Sequence, residues 1–239
     1  AIALNSMMFN MARLIGPSIA GILIAVAGEG ACFLINGVSY FAVIASLLAM
    51  KMPRRDNEKK EAGYNMLKDL KEGFNYAFGF LPIRAILFLL GIISLMGMSY
   101  AVLMPVFAKD VLHGGPHTLG FLMGAVGIGS LAGTIYLASK KNIITLGRML
   151  PVSAGIFGLS IMIFSFSHNL AFSLALLFFS GFGIMVQMAA SNTILQTIVE
   201  DDKRGRIMSF YTMAFMGMAP FGSLFSGMLA SRIGVSNTL

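Results

Sequence analysis

MLPVSAGIFGLSIMIFSFSHNLAFSLALLFFSGFGIMVQMAASNTILQTIV, residues 149–199, contains no Asp, Glu, Lys or Arg. A helix crosses the hydrocarbon core of a bilayer in about 20 residues, so this run is too long for one crossing and long enough for two. His168-Asn169 is its most polar dipeptide and divides it into spans of about 150–167 and 171–198. Working outward, Lys140-Lys141 ends an apolar run over 118–139, and Arg84 and Lys109 bracket another over 85–108. Residues 31–50 carry no charge, and 3–27 are interrupted only by Arg13. Downstream, 207–231 form the last run. The pattern predicts an all-α polytopic membrane bundle of about seven transmembrane helices. Composition agrees: 57% of residues are apolar and 11% charged, where a soluble domain carries about 25% charged residues.

The basic residues set the expected direction. Lys51, Arg54, Arg55, Lys59, Lys60, Lys68 and Lys71 fall in one gap, Lys140, Lys141 and Arg148 in a second, Lys203, Arg204 and Arg206 in a third. These alternate with poor gaps at 28–30, 109–117 and 168–169. The positive-inside rule makes the rich gaps cytoplasmic, and all seven spans obey the alternation. The net charge of +7 is therefore a topology signal and not a nucleic-acid patch. Within the gap 51–83, Leu67, Leu70, Phe74, Phe78 and Leu81 form a helical stripe opposite Lys68, Asp69, Lys71 and Glu72. Such a helix lies on the inner membrane face or docks on protein, and both readings stand at this point. The expected organisation is 1–50 as two helices of one bundle, 51–83 as a central cytoplasmic loop, and 84–239 as five helices of a second bundle.

Three segments carry a family resemblance. The first is Arg13-Leu-Ile-Gly16-Pro17-Ser-Ile-Ala20-Gly21, the second Arg204-Gly205-Arg206-Ile-Met-Ser, and the third Gly217-Met-Ala-Pro220-Phe-Gly222-Ser. They resemble the major facilitator superfamily, in its drug and siderophore exporter branch that includes the enterobactin and macrolide efflux proteins. The 67–81 segment is similar to that branch as well. The chain opens mid-pattern at Ala1 and is read as an internal piece, helices five to eleven of that fold. The resemblance implies secondary active efflux of a small amphipathic molecule by alternating access, in a bacterial cytoplasmic membrane. A membrane sensor or scaffold on the same fold is the alternative.

Site candidates follow. Gly16, Pro17 and Gly21 combine close packing with a missing backbone donor, which suits a gating helix, with Arg13 the one charge well inside a span. Pro220 and Gly222 repeat the pattern in the last span, and Arg204, Gly205 and Arg206 are expected in the cytoplasmic loop before it. Gly120, Gly124, Gly129 and Gly133 read as a packing face. Gln187, Ser191, Asn192 and Gln196 put two polar stripes on one span. In the resemblance that span lines the cavity, so these are expected substrate contacts, with an interhelical hydrogen bond as the plain alternative. Asn10, Asn36 and Ser39 are weaker instances. Cys32 reads as a packing thiol. His113, His117 and His168 fall in outer gaps, so no catalytic, metal or cofactor site is expected. The implied partners are the lipid bilayer and a small-molecule substrate, with no nucleic acid. Protons, where used, are expected to act through helices outside this chain.

The charge alternation makes a direct prediction. In a Cys32→Ser background of the full-length protein, an impermeant maleimide applied to intact cells should label Glu29→Cys and Gly115→Cys but not Asn57→Cys or Asn142→Cys. The reverse pattern would overturn the topology.

Overall fold

The computed structural model describes residues 30, 33–49, 66–97, 99–140 and 142–239, with the side chains of 66–71 and 201 set aside. The first expected span, with Arg13, Gly16, Pro17 and Gly21, lies outside these residues, as do Asn10 and Cys32. An apolar helix α1 (Phe33–Ala49) occupies the second span. After it come α2 (Met66–Gly79) and five helices long and apolar enough to cross a membrane. These are α3 (Leu81–Val111), α4 (Pro116–Ala138), α5 (Ile143–Phe164), α6 (Leu170–Ile198) and α7 (Asp202–Ile233). A single turn, α8 (Val235–Thr238), follows Gly234, whose φ of 84° ends α7.

Local chemistry explains the boundaries. His168-Asn169 breaks the long apolar run because Asn169 caps α6, its Oδ1 accepting from the Phe172 N–H at 3.2 Å. Asn142 caps α5 in the same way through Ile144 N–H at 2.9 Å, so α5 begins seven residues before the expected start at 150. The apolar run alone hid this first turn, because Arg148 made it look like loop. Pro82 and Pro116 sit in the first turns of α3 and α4, where a missing N–H costs nothing. The break between α2 and α3 falls at Phe80, which assigns Leu81 to α3 rather than to the amphipathic helix.

Three π turns interrupt the spans: Ile93–Gly97 and Phe107–Val111 in α3, and Met213–Gly217 in α7. Two lie close to prolines. Pro105 precedes the second π turn of α3, and Pro220 follows the π turn of α7. A proline cannot donate to the preceding turn, and its ring needs the extra width that one inserted residue gives.

α6 is the centre of the bundle, packed along α4 on one side and α5 on the other. A Cβ added at Gly129 on α4 would lie 1.9 Å from the Phe178 carbonyl oxygen of α6. One added at Gly181 on α6 would lie 2.1 Å from the Val126 carbonyl oxygen of α4. Backbone therefore rests on backbone from both directions, and Ser130 Oγ donates to the Gly181 carbonyl at 3.2 Å in the same seam. Two residues on, about half a turn round the helix, a Cβ added at Gly183 would likewise lie 2.8 Å from both Ser153 O and Phe157 N of α5. Outside this trio, α3 and α7 each bury one set of apolar side chains and leave others, such as Phe88, Ile92, Phe221 and Leu224, exposed.

Overpacking a tight contact costs about 1–3 kcal/mol. Gly181→Ala in the full-length protein should therefore lower Tm in detergent by several degrees. Gly147→Ala, where an added Cβ meets nothing within 4 Å, should hold or raise it. Equal Tm for the two variants would mean that α4 and α6 part without cost.

Candidate functional site

The buried side chains fall into two apolar clusters. One holds Ile83, Leu90, Leu150, Ala190, Leu195 and Ile207. The other holds Met104, Phe107, Leu122, Phe157, Phe164 and Ile184. Between them lies a polar layer. Ser153 Oγ on α5 donates to Gln187 Oε1 on α6 at 3.0 Å, and Gln187 Nε2 reaches Ser191 Oγ at 3.4 Å. Gln187 and Ser191 are both wholly without exposed surface. In this conformation Gln187 joins α6 to α5 and Ser191 bonds Gln187 within α6, because each polar atom in an apolar interior takes the nearest partner.

The other polar stripe differs. Asn192 is half-buried and Gln196 exposed, and Gln196 Nε2 donates to Asn192 Oδ1. Asn192 also bonds the Tyr211 side chain of α7, whose hydroxyl donates to the Met188 carbonyl at 3.2 Å. Asn192, Gln196 and Tyr211 thus form one polar cluster at the α6–α7 seam. Asn36 and Ser39 share a local bond on α1, Ser39 Oγ donating to Asn36 O at 2.7 Å, away from this cluster in sequence.

α7 meets α3 at their π turns. Gly222 is buried, and a Cβ there would lie 2.0 Å from the Leu95 carbonyl oxygen. Ser94 Oγ donates to the Phe215 carbonyl across the same contact. Pro220 carries no N–H, so the turn before it is one donor short, and Ser94 adds one to it. Pro220 itself is exposed.

The Arg-Gly-Arg run is a helix, not the expected loop. Glu200 stands at the N-cap position and Asp202 falls in the first turn, where the helix dipole favours acids, so the connection from α6 shrinks to Val199-Glu200. Arg206 reaches back to α2, its Nη1 3.3 Å from Glu72 Oε2. Lys203 Nζ lies 4.5 Å from the centroid of the Tyr76 ring and pairs with Glu200 at 2.5 Å. Arg204 and Gly205 are exposed, with open space beside Gly205. α2 is therefore docked on protein along its described face: Ala77 is fully buried, and Gly73 admits the Phe210 ring at 3.2 Å from an added Cβ.

Sequence reasoning missed Ser94, Ser153 and Tyr211. Each is a lone small polar or aromatic residue in an apolar run, a pattern shared with packing residues such as Ser173, which bonds only Ser167. No group of three His, Cys, Asp or Glu suited to a metal occurs among the described residues.

Comparison with known proteins matches this architecture. The chain is 26% identical over 238 residues to the staphyloferrin A transporter of Staphylococcus aureus, covering all of this chain and 59% of that protein. It is 26% identical over 226 residues to the uncharacterized MFS-type transporter YfmI of Bacillus subtilis, covering 93% of this chain and 56% of that protein. It is 24% identical over 238 residues to the multidrug efflux pump Tap of Mycolicibacterium fortuitum, covering 96% and 56%. The chain thus spans somewhat over half the length of these relatives. The model of the transmembrane secretion effector family matches residues 1–239 throughout. With its apolar helices and this match over the whole length, the chain is an integral membrane protein that belongs to the transmembrane secretion effector family of the major facilitator superfamily.

Proposed function

We propose that the chain contributes about seven helices to a secondary active exporter that moves a small amphipathic molecule across a bacterial cytoplasmic membrane by alternating access. Two relatives are named as a transporter and an efflux pump, which supports transport as the activity. Residues 1–50 would belong to one rocking bundle and 84–239 to the other, with α2 in the connection between them.

One observation carries the site. Uncharged polar side chains in a membrane-spanning helix face protein or water, not lipid. Asn192 and Gln196 keep exposed surface on α6, next to Tyr211. α6 has 29 residues, roughly 43 Å at 1.5 Å each, so its last turns reach the cytoplasmic end of the hydrocarbon. These side chains suit a hydrated vestibule open to the cytoplasm, where amides can bond the polar end of a cargo while the apolar walls hold the rest. Gln187 and Ser191 would set the α5–α6 register behind it. The Gly16-Pro17 segment with Gly21 and Arg13 would serve as the gating helix of the other bundle. The ten acidic residues all lie in or beside expected gaps between spans, so a carboxylate that couples proton flow to transport would sit in helices outside this chain.

The test uses the full-length protein in proteoliposomes with a fluorescent amphipathic dye and an imposed proton gradient. Wild type should accumulate the dye uphill. Asn192→Leu with Gln196→Leu should raise KM about tenfold, the loss of about 1.4 kcal/mol of hydrogen bonding, with Tm kept. Gln187→Leu should instead lower Tm with little change in KM. Uphill movement of no dye under any imposed ion gradient would favour a sensor or scaffold and sink the reading.

A further inference from the structure

The π turn Ile93–Gly97 of α3 has two neighbours. Ser94 and the Leu95 carbonyl face α7, at Phe215 and Gly222. Gly97, at the end of the same turn, faces α5. A Cβ built there would lie 2.9 Å from Phe157 Cζ and closer still to Cε1. The edge of the Phe157 ring therefore occupies the volume that any other residue at 97 would fill. Tyr100, three residues further along α3, meets the same ring edge-on, the centroids 6.1 Å apart. Phe157 and Tyr100 are each only 3% exposed, and burial complete within the chain does not depend on what lies outside it.

Phe157 is fixed from behind as well. A Cβ added at Gly183 on α6 would come within 2.8 Å of the Phe157 nitrogen and 3.2 Å of its Cα. The residue cannot retreat toward α6, because backbone already rests on backbone there. Its ring has little room to swing aside. On a helix χ1 of an aromatic side chain keeps to two wells, and Ile93, Ile161 and Ile184 share its buried cluster. One path of close contact thus runs from the α6 backbone through Phe157 to Gly97, and from the same turn of α3 to α7. A packed interior has almost no slack, so a shift of α5 against α3 moves the ring and the turn together.

We propose that Phe157 is a positioning residue: its ring, seated in the notch at Gly97, sets the register of the π turn and so of the α3–α7 contact. Ser94 reaches the Phe215 carbonyl, and Leu95 O meets Gly222, only while the turn keeps that register. The trio of α4, α5 and α6 is geared to α7 through this side chain. The effect on turnover rests on the transport reading; the effect on register does not.

A size swap tests the pairing, in the full-length protein carrying Cys32→Ser. Gly97→Ala adds the methyl that the ring excludes, Phe157→Leu removes the ring edge, and the double variant exchanges the two volumes. Register is read by a bifunctional maleimide between Asp110→Cys and Ile233→Cys, which line one cavity at the far ends of α3 and α7. Turnover is read, without those cysteines, as dye transport in proteoliposomes. Gly97→Ala should slow crosslinking and lower kcat about tenfold each, with KM unchanged. The double variant should regain both to within about twofold, since the two changes are coupled. Gly183→Ala, whose added Cβ meets the Phe157 backbone and not its ring, should gain nothing from Phe157→Leu. Should Gly97→Ala fail to fold, the double variant is read in its place and should fold again. A double variant no better than Gly97→Ala overturns the proposal, as does equal rescue of Gly183→Ala. So does a Gly97→Ala variant that loses Tm while crosslinking and kcat stay as in wild type, because the ring would then be packing alone. If wild type moves no dye, the transport reading fails, and the crosslinking series still decides the role of Phe157 in register.

Discussion

At Gly129 and Gly181 two helices touch backbone to backbone, and the bundle is organised around that contact. In lipid, apolar side chains gain little by leaving one greasy environment for another, so burial alone does not draw helices together. Dispersion between closely packed atoms and hydrogen bonds across the seam must do it. Both scale with how near the backbones come. The Gly129 and Gly181 contacts bring α4 and α6 close enough for Ser130 to bond the Gly181 carbonyl. Gly183 brings α5 close enough to α6 for Ser153 to bond Gln187. The polar layer is thus a consequence of the glycine contacts: at ordinary helix spacing a serine hydroxyl would bond only its own helix.

The architecture was legible in the sequence because lipid imposes length and charge rules that need no tertiary information. The uncharged run 149–199 had to be two helices, and the dipeptide that splits it turned out to be an N-cap. Boundaries were less legible where polar residues begin a helix rather than end one. Arg148 and the Arg204–Arg206 run were read as loop, yet Asn142 and Glu200 start helices before them. Caps, not the apolar edge, decide where a helix that outgrows the bilayer begins.

The site was legible in part, and for a physical reason. Spacing placed Gln187 with Ser191 and Asn192 with Gln196 on two neighbouring stripes, and the structure keeps both pairs. Spacing does not say which stripe faces a neighbour. That depends on Ser153, far away in sequence, which meets Gln187 and leaves the other stripe with its surface exposed. The docked state of α2 was undecidable for the same reason. Its stripe fits a membrane surface or a protein equally well, and only Phe210 and Arg206 against Gly73 decide it.

The two halves of the described bundle are held in different ways, and this bears on where it can change shape. α4, α5 and α6 carry no π turn and are joined by close backbone contacts at Gly129, Gly181 and Gly183. α3 and α7 are each broken by π turns, and only 11% of the most apolar stretch of α7 is buried. Their union rests on Gly222 against Leu95 and on the Ser94 bond to Phe215. Pro220 leaves the turn before it one donor short, and the Ser94 bond adds one. If α7 turned against α3, one serine hydroxyl would be lost and one carbonyl left to find water or another donor, a cost of about 1–3 kcal/mol. Parting α4 from α6 would instead undo contacts along both whole helices. Elements that move are drawn from the weakly held end of a structure. On the proposed alternating-access reading, a rearrangement between inward and outward states would cost least at the paired π turns of α3 and α7, with the trio behind them carried as a rigid body.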